Sequence, residues 1–137
     1  MNLFEYQGKR LYQDFSIPTP KSIFVSSISE ITDNHGLTYP VVVKAQVQVG
    51  GRGKAGGIKV AKDFDELAKF SGEILGMDIK GHIVESLLLE EASDILEEYY
   101  ISFTLDRSAK SYLMMLSAKG GMAVSYTHLT LPTTIEV

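Results

Sequence analysis

Between Lys44 and Lys62 the sequence carries five cationic side chains, Lys44, Arg52, Lys54, Lys59 and Lys62, and no acidic one. Five of its twelve glycines fall in the eight positions from Gly50 to Gly57. Glycine lets successive backbone N–H groups approach a ligand closely, and oriented N–H groups beside Lys and Arg are what the oxygens of a polyphosphate require. The stretch is read as a phosphate-binding loop. The competing reading is a flexible β-hairpin tip with a solvated basic surface, which is ordinary turn chemistry. Gly51, Gly53 and Gly56 match G-x-G-x-x-G. A dinucleotide fingerprint must open a helix, whereas Ile58 to Ala61 has strand character and the next helix starts near Asp63. A Walker A loop also fails, because no Ser or Thr follows a Gly-Lys pair. What remains is a strand, a glycine loop and a returning strand folding over phosphates, as in kinases, but the HRD and DFG elements of kinases are absent.

Lys44 lies inside VVVKAQV, an apolar β-branched run with the pattern of a buried strand. An unpaired buried ammonium costs several kcal/mol, so it must meet an anion. That anion is a nucleotide phosphate, or an internal carboxylate, unless the side chain snorkels out of an edge strand. The opposite charge gathers in residues 85–98, where Glu85, Glu90, Glu91, Asp94, Glu97 and Glu98 stand without a basic residue. This acidic edge reads either as carboxylate acceptors for a nucleoside or as a solvated face. His35, His82 and His128 have no metal-ligand spacing, and no Ser-His-Asp or paired-carboxylate constellation is present.

These groups need a scaffold, and the composition permits one. The chain has 137 residues, 45% of them hydrophobic and 22% charged, with a net charge of −4. That suits one folded domain and excludes a disordered or low-complexity polymer. Cysteine is absent, which removes disulfides, thiolate metal sites and cysteine nucleophiles together. No apolar run reaches membrane-spanning length and the N-terminus is no signal peptide, so a soluble cytoplasmic protein is expected. The mild acidity argues against nucleic-acid or membrane partners.

The pattern predicts an α+β order. Asn2 to Phe15 reads as a helix, with Asn2 and Glu5 at capping-box spacing and Phe4, Leu11, Tyr12 and Phe15 on one face, ended by Pro18 and Pro20. Strands are expected at 22–26, across VVVKAQV, at 58–61 and at 82–90, with helices at 27–35 and from Asp63 to about Leu75. Alternation of Tyr99, Ile101, Phe103 and Leu105 predicts a half-buried strand, paired through a turn at 106–110 with Tyr112 to Leu116.

Three strings, MNLFEYQGKRLYQDFSIPTP, VVVKAQVQVGGRGKAGGIKVA and LLLEEASDILEEYYISFTLDRS, resemble the N-terminal part of the β subunits of ADP-forming succinyl-CoA synthetases, across residues 1–122. Malate-CoA ligase β chains and ATP-citrate lyase share the pattern more loosely. The resemblance implies an ATP-grasp fold, with two α+β subdomains clamping a nucleotide. The implied reaction, part of the citric acid cycle, interconverts succinate, CoA and ATP with succinyl-CoA, ADP and phosphate. By the same likeness Lys44 and the Gly51-Arg52-Gly53 stretch match the nucleotide-phosphate contacts. Glu90 and Ser93 match positions near the adenine, and Glu98 matches the ribose-side carboxylate. The cofactors implied are ATP, or GTP, with Mg2+. The partner implied is the α subunit, which carries the phosphohistidine, so none of the three histidines here is that carrier. The likeness places a complete lid-like subdomain at 21–98 and parts of a second at 1–20 and 99–122.

Residues 123–137, AVSYTHLTLPTTIEV, hold one acidic residue, no basic one and no helical period. They replace the acidic continuation usual in those relatives and resemble translated adapter read-through. The expectation is a truncated product, without the Asn and Asp magnesium ligands, that is inactive alone. The rival from another class is a non-enzymatic polyanion-binding module.

Overall fold

The computed structural model describes residues 2–120. Their order is α1 (Glu5–Asp14), β1 (Ser22–Val25), a single 3-10 turn (Ile28–Glu30), β2 (Val41–Ala45), β3 (Ile58–Ala61), α2 (Phe64–Ile74), β4 (Asp78–Ile79), β5 (His82–Ile83), β6 (Leu87–Glu91), β7 (Tyr100–Asp106) and β8 (Ser111–Ser117). The mixed α+β class agrees with the pattern. The anomalous segment 123–137 lies outside the described residues.

The backbone groups into two units, one ending at Ser93 and the other beginning at Asp94. The first is a four-stranded sheet in the order β1-β6-β2-β3, antiparallel at every pair. Alternation along β2 sends Val41, Val43 and Ala45 to one face and Lys44 to the other. On the first face they join Val25, Leu87, Leu89 and Ala61 against Leu67 and Ile74 of α2, all buried. Each such Val, Leu or Ile contributes about 1.5–3 kcal/mol by leaving water. Asp63 caps α2 as its spacing predicts, its carboxylate accepting the Glu66 N–H at 2.8 Å. β6 is buried on both faces at Leu87, Leu88 and Leu89, the property of a central strand.

Four local expectations differ from the structure. The helix expected at 27–35 shrinks to the 3-10 turn, because Thr32, Asp33 and Asn34 favour turns and His35 instead accepts the Leu37 N–H. The single strand expected at 82–90 divides. Val84 exchanges backbone hydrogen bonds with Gly76 and Met77 at 2.8 and 2.9 Å, pairing β5 with β4, while β6 inserts between β1 and β2. The capping box on α1 is not formed by Asn2 and Glu5. Phe4 is the N-cap, its N–H donating to the Gln7 carboxamide at 2.9 Å, because Glu5 is held by cations described below. Leu11, Tyr12 and Phe15 of α1 are exposed, and the helix turns Glu5, Tyr6 and Lys9 to the sheet.

α1 sits on the β1-β6-β2-β3 sheet and belongs with it to the first unit, which ends at Ser93. The second unit is the β7-β8 hairpin, in register Ile101↔Leu116, Phe103↔Met114 and Leu105↔Tyr112. Asp106 closes its turn by accepting the Ser108 and Ala109 N–H groups at 2.9 and 3.1 Å. The expected alternation is present, but its apolar face is exposed rather than half-buried, with Phe103 67% accessible.

Candidate nucleotide-phosphate site

The sheet face opposite α2 carries Lys44 from β2 and Glu90 from β6, side by side because Val42 pairs with Glu90 and Lys44 with Leu88. α1 crosses this face, bringing Glu5 and Lys9, four residues apart and so on one side of the helix. The helix is seated by Gln46, whose carboxamide oxygen accepts the Tyr6 N–H at 3.0 Å, and by Tyr6 lying 4.2 Å from the Phe24 ring. Gln46 is itself buried. The loop after β2 then folds Arg52 back, its guanidinium donating to the Ala45 carbonyl at 2.8 Å.

These elements converge on a charge cluster. Lys44 Nζ donates to Glu5 Oε1 and to Glu90 Oε1, both at 2.9 Å. Arg52 Nη1 lies 2.7 Å from Glu5 Oε2, and Lys9 pairs with Glu90 Oε2. Lys44 and Arg52 therefore grip the two oxygens of one carboxylate. Burial alone would raise the Glu5 carboxyl, but the Lys44 hydrogen bond and charge, with the Arg52 charge and hydrogen bond, outweigh it and hold the group below its ordinary pKa. Burial, and then the Lys44 charge, push the Lys9 ammonium down to about 8, against an opposing pull from Glu5.

The glycine loop is a succession of turns. Gly51 and Gly56 have φ of +78° and +83°, a region costly for other residues. The N–H groups of Ala55, Gly56 and Gly57 are engaged inside the loop, by Gly51, Gly53 and Arg52 carbonyls at 3.1, 3.1 and 2.8 Å. Among the described residues no hydrogen bond engages the N–H groups of Gly51, Arg52 and Gly53. Lys80, at the β4-β5 turn, donates to the Gly50 carbonyl at 2.9 Å and steadies the loop from beside Gly51. Its position has no sequence signal. Glu5 and Lys9 had one, their helical spacing, but pattern alone assigned Glu5 to a cap.

Lys44, Arg52 and Glu90 are thus brought together, with Gly51 and Gly53 flanking Arg52. Ser93 is exposed at the close of the first unit, and Glu98 is exposed in the second. An open cleft of about 610 Å³ lies beside the cluster, lined among others by Tyr6, Phe24, Gln46 and His82 but not by Lys44 or Arg52. Among the described residues no group of three or more His, Asp or Glu is placed to hold a metal ion, and Glu5 and Glu90 are both committed to cations. No helix among them is long and apolar enough to cross a membrane.

The first unit is thus an antiparallel sheet with α2 on one face and α1 crossing the other, where Lys44 and the cationic glycine loop meet Glu5. The chain belongs to the ATP-grasp family: the family model described as an ATP-grasp domain matches residues 2–136. That match runs into the segment that composition sets apart. The chain resembles a dinucleotide-forming acetyl-coenzyme A synthetase of Ca. Korarchaeum cryptofilum, in complex with coenzyme A and Ca-AMPCP, at 23% identity and a TM-score of 0.73, over 85% of this chain and 53% of that one. It also resembles the ATP citrate lyase of Methanothrix soehngenii, in complex with citrate and coenzyme A, at 25% identity and a TM-score of 0.65, over 88% of this chain and 32% of that one. A D-alanine-D-alanine ligase of Helicobacter pylori matches at 15% identity and a TM-score of 0.61, over 92% of this chain and 39% of that one. The chain therefore spans about half the length of the acetyl-coenzyme A synthetase and a third of the lyase.

Proposed function

We propose that this chain is the nucleotide-binding N-terminal part of a succinate-CoA ligase, which joins succinate to CoA at the expense of ATP in the cytoplasm, together with an α subunit that carries the phosphohistidine. The observation that supports the nucleotide-binding part of the reading is the shared grip of Lys44 and Arg52 on one carboxylate, beside loop N–H groups without a hydrogen-bond partner among the described residues. Two cations and several N–H groups converging on anionic oxygens are what a phosphoryl group needs. Its transfer demands positioning and charge neutralisation more than covalent chemistry from the protein. Lys44, Arg52 and the Gly51–Gly53 backbone take the phosphates. By the likeness to succinate-CoA ligase β chains, Glu90 and Ser93 match the positions near the adenine and Glu98 matches the ribose-side carboxylate. The nucleotide is ATP or GTP, bound with Mg2+ in the parent enzyme, where the metal would shield phosphate charge through ligands other than the residues described here.

A related acyl-CoA ligase acting on another acid is the second reading, favoured by the fold shared with an acetyl-coenzyme A synthetase and an ATP citrate lyase. Replacing Lys44 by Ala in the full-length enzyme is expected to lower kcat/KM for nucleotide by about tenfold or more, since one charge-assisted hydrogen bond to phosphate is removed. Unchanged kinetics remove Lys44 from the site. Exchanging succinate for malate or citrate in the same assay separates the two readings.

A further inference from the structure

We propose that Glu5 is a built-in stand-in for the phosphate: its carboxylate occupies Lys44 and Arg52 and must let go when a nucleotide binds. The inference rests on the reading of Lys44 and Arg52 as phosphate ligands and adds a residue of α1 to that site. One oxygen of Glu5 meets Lys44 at 2.9 Å and the other meets Arg52 at 2.7 Å, as two oxygens of a phosphoryl group would.

Glu5 is the anion of the cluster suited to leave. Glu90 sits on a central strand, is 7% exposed, and is held from both sides by Lys9 and Lys44. Glu5 stands in the first turn of a helix that buries no residue completely, and its side chain remains 23% accessible. A side-chain rotation frees it while Tyr6 keeps the helix on Gln46 and Phe24. The charge balance favours exchange. Lys9, Lys44 and Arg52 face Glu5 and Glu90, an excess of one positive charge, and the departure of Glu5 leaves an excess of two for a polyanion. An arriving triphosphate restores the neutralisation that Glu5 supplied, so the cations are never left unpaired.

The test is calorimetric titration of the whole chain with ATP. Glu5→Gln removes the competing charge and is expected to lower Kd by about fivefold to tenfold at low salt, the worth of two part-exposed ion pairs. Unchanged or weaker binding by Glu5→Gln, with Lys44→Ala and Arg52→Ala still impairing binding, overturns the stand-in and leaves the phosphate site intact. If Lys44→Ala and Arg52→Ala change nothing in either background, the site reading falls, and this inference with it. A second measurement needs no substitution. The carboxyl resonance of Glu5 in the unaltered chain is followed through an acid titration with and without saturating ATP. Release from its cations is expected to move its pKa upward, and an unmoved titration overturns the proposal.

Discussion

Gly57 offers the sharpest test of how the loop is built. Its N–H donates to the Arg52 carbonyl at 2.8 Å, and its own carbonyl accepts the Ala45 N–H at 2.8 Å, so it joins the loop to β2. A Cβ placed there lies 2.6 Å from Ile79 Cδ1 and 3.2 Å from both Ala45 Cβ and the Arg52 carbonyl oxygen. The backbone of Gly57 is not left-handed, so the obstacle to alanine is space rather than strain. Ile79 and Ala45 are fully buried and have nowhere to retreat. Overpacking of this kind costs about 1–3 kcal/mol. The 2.6 Å approach forces Ile79 to shift inside a filled core, while the Arg52 carbonyl on the other side must give by a few tenths of an ångström and loosens the loop, so we expect Gly57→Ala to destabilise the first unit by about 2 kcal/mol. Amide exchange of Ala45 then accelerates about thirtyfold where it reports that loss of stability. Gly53→Ala is the matched control, since nothing lies within 4 Å of its added Cβ. Ala45 exchange in Gly57→Ala within about twofold of the unsubstituted chain, or equal to that of Gly53→Ala, refutes the packing argument.

The Lys9 amine is expected to titrate near 8, where burial first and the Lys44 charge second have pushed it from 10.5. Its folded pKa lies below the unfolded one, so the unfolded chain binds more protons between those values and this group makes stability rise with pH across that window. Side-chain NMR of Lys9 checks the titration, and Glu5→Gln is expected to lower it further by removing the opposing carboxylate; an upward shift contradicts the cluster as described. Ser71 is fully buried in α2, and its hydroxyl has no partner among the described residues, so Ser71→Ala is expected to be neutral or stabilising by up to about 1 kcal/mol. A measured loss above about 1 kcal/mol on urea unfolding shows an interaction of that hydroxyl that the structure does not contain.

Much of the first unit was legible because its signals are local. The β-branched run at 41–45, the return at 58–61 and the Asp63 cap of α2 each follow from neighbouring residues, and each lies where the pattern put it. Clustering of glycine and positive charge likewise located the loop, since both are read from composition within a few positions. Local preference failed at 27–35 and at 82–90, where partners distant in sequence decided between turn, hairpin and central strand. The apolar residues of α1 misdirected its orientation, because a helix period says which residues share a side but not which side meets the sheet.

What the amino-acid order settled by itself is that Lys44 must find an anion and that a cationic glycine loop follows it. Which anion it finds was decided only by folding. Glu5 lies 39 positions away and Glu90 46 positions away, and no spacing rule links them to Lys44. They meet because strand pairing sets β6 beside β2 while burial of Tyr6 and Gln46 lays α1 across the same face. Charges attract at short range whatever their separation along the chain, and that separation is closed only by the packing of apolar surface elsewhere.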